Sequence, residues 1–206
     1  MRVVVNAAMS ADGKLSTHER EQVEISGPAD FERVDRLRAE SDAVMVGVGT
    51  ILADDPSLTV KNPDLRERRT ERGEPSNPAR VIADSRIRTP PDAAVLDDAG
   101  PSYLLVSEAA PSDFVSGMKE AGATVIVAGE DRVDLPEALA RLEADGIDQL
   151  MVEGGGELIF SLFETGQINR LSVYVGPVGQ RRRLAPADDD RSHVHGEPVD
   201  QPRLEQ

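Results

Sequence analysis

Short runs of β-branched and small apolar residues alternate along the chain with segments of helical periodicity. That alternation is the signature of an α/β domain with a mostly parallel central sheet flanked by helices, because each parallel strand needs a crossover before the next. Strands are expected over 3–8, 43–47, 80–84, 102–107, 123–127, 149–153 and 171–175. Helices are expected from 28 to 40, where Phe31, Val34 and Leu37 recur every three residues, and over 111–121. Leu135, Leu139 and Leu142 predict another over 135–145, and a last one follows Gly156 through Leu158, Ile159, Leu162 and Phe163. The charged, proline-rich stretch 62–79 reads as a surface loop. No internal repeat is visible.

A chain of 206 residues predicts one domain. Cysteine is absent, which removes disulfides, thiolate metal sites and cysteine nucleophiles. Acidic residues number 38 against 23 basic ones, and a net charge of −15 argues against nucleic acid and anionic membranes as partners. Neither a signal-peptide core nor an apolar run near membrane-spanning length occurs, so a soluble cytoplasmic protein is expected. Only Lys14, Lys61 and Lys119 are lysines; the other positive residues are arginines, and aromatics make up 3%. This composition resembles that of salt-in halophilic archaea, with an acidic protein of a GC-rich genome as the alternative.

Residues 1–178 carry the pattern and a charge of −14, from 18 basic and 32 acidic residues. Residues 179–206 carry 5 basic and 6 acidic residues and only six apolar ones, with neither a strand nor an amphipathic helix to be drawn. They read as a disordered or frameshifted tail on a domain spanning 1–178. His193, His195 and Asp188–Asp190 do not make a metal site there, since no scaffold fixes a coordination geometry. His18 lies in a charged loop and reads as a solvated side chain.

Gly154-Gly155-Gly156-Glu157 stands between a buried strand and a helix, where backbone N–H groups can meet a phosphate. The other reading of the same glycines is a tight connection with nothing bound. Gly47-Val48-Gly49-Thr50 also follows a strand, but Leu52 takes the place of the third glycine of a dinucleotide fingerprint. Two glycine turns at the carboxyl ends of two strands fit one extended cofactor. Ser10-Ala11-Asp12-Gly13-Lys14 reads as a turn, and Asp54-Asp55-Pro56 stops the chain before delivering Leu58 and Lys61.

These segments, in this order, resemble the pyrimidine reductase family of riboflavin biosynthesis, which includes archaeal enzymes and the C-terminal domain of bacterial RibD. The matching stretches are NAAMSADGK (6–14), ISGPAD through RLRA (25–39) and DAVMVGVGTILADDPSLTVK (42–61). They continue with VIADSR (81–86), VEGGG (152–156) and LSVYVGPV (171–178).

The resemblance implies a dihydrofolate-reductase-like α/β fold, a homodimer, and NADPH or NADH as cofactor. It implies an oxidoreductase acting on the CH–OH (ribosylamine) carbon of 2,5-diamino-6-ribosylamino-4(3H)-pyrimidinone 5′-phosphate, giving the ribitylamino product. Carried over position by position, Thr50, Asp54 and Ser85 become cofactor contacts, and Gly154, Gly155, Gly156 and Glu157 wrap the pyrophosphate. Arg38, Leu58 and Lys61 become substrate contacts, with Arg38 and Lys61 suited to the ribose phosphate. Glu153 would meet the pyrimidine or the opening ribose, and Lys14 is placed to donate to the ribose oxygen. Arg86 is a candidate partner for a 2′-phosphate. A pterin reductase of the same fold and a non-catalytic nucleotide-binding protein stand as alternatives. The family match stops at Val178, where relatives continue with a Gly-Gly segment and further strand.

Overall fold

The computed structural model describes residues 1–10 and 28–176. Lys14, His18 and the stretch from 177 to 206 lie outside the described residues.

Among the described residues seven strands form one sheet: β1 (Arg2–Ser10), β2 (Ala43–Gly47), β3 (Ala79–Ala83), β4 (Ser102–Val106), β5 (Thr124–Val127), β6 (Gln149–Gly154) and β7 (Arg170–Gly176). Their spatial order is β5-β4-β3-β2-β6-β1-β7, and every pairing is parallel. All carboxyl ends therefore lie along one edge. Among the described residues six α-helices lie in the connections: α1 (Pro28–Ala39), α2 (Val48–Asp54), α3 (Pro63–Glu71), α4 (Ser112–Glu120), α5 (Leu135–Ala144) and α6 (Gly156–Glu164); α2 and α3 share the β2–β3 connection, and β3 reaches β4 through a single 3₁₀ turn at Ala94–Leu96.

Successive residues of a strand point to opposite faces, and the core divides accordingly. Val3, Val5, Met45 and Leu105 pack with Leu139 and Leu142 of α5 and Leu158 and Leu162 of α6. On the other face Val44, Val46, Ile82 and Leu104 pack with Ile51 of α2, Met118 of α4 and the inward side of α1. Central strands are buried on both faces, which is why they read as continuous apolar runs.

Two expectations need correcting. The stretch 62–79 is not a loop throughout, for Pro63–Glu71 is helix α3. Asn62 caps it by accepting from the Asp64 N–H at 2.9 Å, and Pro63 occupies the first turn. The helix has no apolar stripe because Arg69 takes that place. Its guanidinium is fully buried and donates to the carbonyls of Ala39, Ser41 and Pro75 at 2.8–3.0 Å, closing the end of α1. The second correction concerns Gly47–Thr50. Gly47 ends β2 and caps α2, while Gly49 is already helical, so no separate glycine turn exists there.

Candidate active site at the carboxyl edge of the sheet

The ligand crevice of an open parallel sheet lies beyond the carboxyl ends of its strands. Here β2, β6 and β1 end side by side, and Glu153 is the penultimate residue of β6. The β2–β6 register runs Met45↔Val152 and then Val46↔Gly154, so Glu153 is the extra residue of a bulge. Such a bulge re-aims a side chain and commonly sits beside a functional site.

Glu153 meets Arg38 of α1. Arg38 donates from Nε and Nη2 to the two carboxylate oxygens, both at 2.6 Å, and from Nη1 to the Thr59 carbonyl at 3.0 Å. Both side chains are mostly buried, at 16% and 12% exposure. Burial works against the guanidinium charge, but the Glu153 hydrogen bonds and charge outweigh it and raise the Arg38 pKa.

One turn earlier on α1, the buried Asp35 carboxylate accepts from the backbone N–H groups of Lys61 and Asn62, both at 2.7 Å. The segment between Pro56 and Asn62 is thereby tied to α1 at two points. Leu58 and Val60 point into the core, whereas Ser57, Thr59 and Lys61 face outward. Lys61 Nζ donates to Ser57 Oγ at 2.8 Å and to Thr59 Oγ1 at 2.9 Å. Leu58 adopts φ +52°, in the left-handed region, with its side chain in the core. What it offers a ligand is backbone.

The glycines have a packing role. Gly155 has φ +93°, and a Cβ there would stand 3.2 Å from the Gly47 nitrogen. At Gly154 a Cβ would stand 3.1 Å from Thr50 Oγ1. The two strand ends are thus in van der Waals contact, and Thr50 packs against Gly154. Gly155 is also the N-cap of α6, with no side chain capping the helix, so the first N–H groups of α6 face the crevice edge. Asp54, at the exposed end of α2, has its carboxyl pushed up by partial burial.

Beside α6 lies a cavity of about 430 Å³ whose walls include Ser85, Arg86, Arg88, Arg132, Val133 and Glu157. Ser85 Oγ accepts from the Val133 N–H at 3.1 Å, joining two of its walls. The buried Asp84 carboxylate folds the arginine loop by accepting from Arg88 N–H, Thr89 N–H and Thr89 Oγ1 at 2.6–2.8 Å. Ile87, between the two arginines, is buried at φ +52°, a strained conformation for a β-branched residue. Among the described residues neither Arg86 nor Arg132 has a hydrogen bond or ion pair, and Arg88 has only Asp84 at 3.9 Å. Asp131 and Glu157 line the cavity too, so three guanidinium groups stand there with two carboxylates, and the net charge of the lining remains positive. A net positive lining suits the phosphates of an anionic cofactor.

The site residues fall into two groups. Arg38, Leu58, Lys61 and Glu153 converge on one side, and Ser85 and Glu157 wall the cavity on the other, with Thr50 and Gly154–Gly156 near the α6 start between them. Asp35, Ser57, Thr59, Arg88 and Arg132 were not singled out from sequence. The alternation of outward polar and inward apolar residues over 57–61 was the available signal for two of them.

The RibD C-terminal domain family matches residues 1–200, so the match runs past Val178, where it was expected to stop. The chain belongs to that family. It is 49% identical over 176 residues to the 2,5-diamino-6-ribosylamino-4(3H)-pyrimidinone 5′-phosphate reductase of Archaeoglobus fulgidus, covering 85% of this chain and 80% of that one. The reductase of the same name from Methanothermobacter thermautotrophicus is 42% identical, over 97% of this chain and 86% of its own. In fold, this RibD C-terminal domain resembles a pyrimidine reductase-like protein of Corynebacterium diphtheriae, at TM-score 0.73 and 18% identity, covering 91% and 77% of the two chains. The expected dihydrofolate-reductase-like α/β architecture is thus the one adopted, and membership makes the chain an oxidoreductase of the riboflavin pathway. Among the described residues no helix is long and apolar enough to cross a membrane.

Proposed function

We propose that this chain reduces C1′ of the ribose in 2,5-diamino-6-ribosylamino-4(3H)-pyrimidinone 5′-phosphate, consuming NADPH in preference to NADH. The observation that carries this reading is one continuous constellation at the carboxyl edge. Glu153 sits on its bulge against Arg38, Thr59 links that pair to Lys61, and the arginine-walled cavity lies on the far side of the α6 start.

The reduced nicotinamide, when bound, supplies a hydride from its C4. Gly154–Gly156 and the first N–H groups of α6 would meet its pyrophosphate, with Thr50, Asp54, Ser85 and Glu157 around the chain of the cofactor. Arg86, Arg88 and Arg132 support the preference for a 2′-phosphate. On the substrate side, Lys61 faces the 5′-phosphate and Leu58 contributes backbone. Glu153 orients the pyrimidine and the ribose being opened. Lys14, outside the described residues, donates a proton to the ribose ring oxygen, which takes the C1′–O bonding pair as the lone pair of the exocyclic nitrogen forms the C=N bond. C1′ is then an iminium carbon, and hydride addition there leaves the ribityl chain.

A homodimer belongs to the same proposal. Leu171, Val173 and Val175 are exposed on edge strand β7, on the sheet face that α6 covers further in, and Phe160 and Phe163 of α6 are exposed too. The acidic, lysine-poor composition supports a salt-adapted archaeal enzyme in the cytoplasm.

The test is NAD(P)H oxidation followed by absorbance with the diamino substrate, its deaminated counterpart and dihydrofolate. The proposal expects turnover with a ribosylaminopyrimidine phosphate and none with dihydrofolate. Turnover with dihydrofolate alone would make the chain a pterin reductase.

A further inference from the structure

Resting on that reductase reading, we propose that Arg33 is a positioning residue of the active site. It fixes helix α1 against the two strands beside β6, and through that helix it sets where Arg38 meets the Glu153 carboxylate.

Helix α1 lacks the apolar stripe that commonly seats a helix on a sheet. Val34 and Leu37 pack against the core only in part, and Phe31 is exposed. The buried positions include two carboxylates instead, Asp30 and Asp35. Apolar contact is non-directional and would let such a helix slide or roll, so directed hydrogen bonds have to place it. Asp35 and Arg38 tie its second half to the segment before α3 and to Glu153, and Arg69 closes its end. Among the described residues, Arg33 alone joins its first half to the sheet by hydrogen bonds.

All three nitrogens of the Arg33 guanidinium take part. Nε and Nη2 donate to the buried Asp30 carboxylate at 3.0 and 2.8 Å, which holds the arm on its own helix. Nη1 donates to Ser172 Oγ at 2.7 Å, and Nη2 donates also to Asn6 Oδ1 at 2.8 Å. Asn6 and Ser172 are register partners on β1 and β7, so one planar fork spans two strands. On the other side of β1 lies β6, where Val5 pairs with Val152. Those two valines face the core on the α5 and α6 side, so Asn6 and Glu153, which follow them, turn toward α1 at one level.

Ser172, Asn6 and Glu153 thus form a row across β7, β1 and β6. Arg33 grips two members of the row, and Arg38, further along the same helix, grips the third. A rigid helix carrying both arginines fixes the Arg38–Glu153 contact from the two strands beyond it. The exposed Arg36 between them reaches only Glu32, at 3.9 Å, and takes no part.

The experiment measures kcat, KM, melting temperature and, by NMR, exchange of the Arg38 Nε–H in Arg33→Gln, Arg33→Lys and Arg36→Gln. Arg33→Gln is expected to lower kcat about 5- to 20-fold, with KM for the nicotinamide cofactor within about twofold of the parent value. Its Arg38 Nε–H should exchange about fivefold faster or more, because the bond to Glu153 opens more often. Arg33→Lys keeps the charge for Asp30 but cannot span both strands, and should recover part of both losses. Arg36→Gln should change neither. In a Glu153→Gln background, Arg33→Gln should cost less than about twofold in kcat, because the pair through which it acts is already broken. Should Arg33→Gln fail to fold, Ser172→Ala removes one bond of the same clasp and should show both changes at about 2- to 4-fold. A lower melting temperature with parental kcat and parental exchange overturns the proposal. So does a loss of kcat that is equal with and without the Glu153 carboxylate. A parent chain that reduces no ribosylaminopyrimidine phosphate overturns the reductase reading instead, and the exchange rates then decide the role of Arg33 by themselves.

Discussion

The two sides of the carboxyl edge handle charge differently. On the Arg38–Glu153 side the strongest pair is formed in advance: Arg38 and Glu153 neutralise each other at 2.6 Å, and α1 holds the facing segment through Asp35 and Arg38. On the cavity side three arginines line about 430 Å³ together with Asp131 and Glu157, and among the described residues only Arg88 comes within ion-pair distance of a carboxylate, Asp84 at 3.9 Å. The first arrangement fixes where a carboxylate points before any ligand arrives. The second favours a ligand that brings its own negative charge, and binding energy is gained there on arrival.

The largest effect is expected from breaking the preformed side. Glu153→Ala should lower kcat/KM more than about 100-fold and destabilise the fold by about 3 kcal/mol, since Arg38 is left buried without a counter-ion. Steady-state kinetics and denaturant unfolding check both parts. Next comes the junction of the two sides. Gly155→Ala forces a Cβ at φ +93° to within 3.2 Å of the Gly47 backbone, and about 2 kcal/mol of stability should be lost. Arg86→Ser, together with Arg132→Ser, probes the open side. KM for NADPH should rise about tenfold while KM for NADH stays within twofold, and unfolding should be unchanged because both groups are exposed.

Much of this was legible in the residues. The valine-rich runs place all seven strands to within two residues at either end, since burial on both faces leaves little choice of residue. Glu153 and Lys61 were nameable from the motifs that carry them. Helix α3 was not, because hydrophobic periodicity cannot register a helix that buries Arg69 against carbonyl oxygens. The cap at Asn62 and Pro63 was there to be read but outweighed by charge and proline content. The bulge at Glu153 left no local signature, for it is a property of the β2–β6 pairing. The unbalanced state of Arg86 and Arg132 likewise follows from which elements meet at the cavity.

The central claim is that hydride reaches C1′ of the ribose. Reduction with nicotinamide cofactor deuterated at the transferred C4 position, followed by mass and NMR assignment of the product, tests it directly. One deuterium at C1′ of the ribityl chain is the predicted result. Label in the pyrimidine ring, or none in the product, would contradict it.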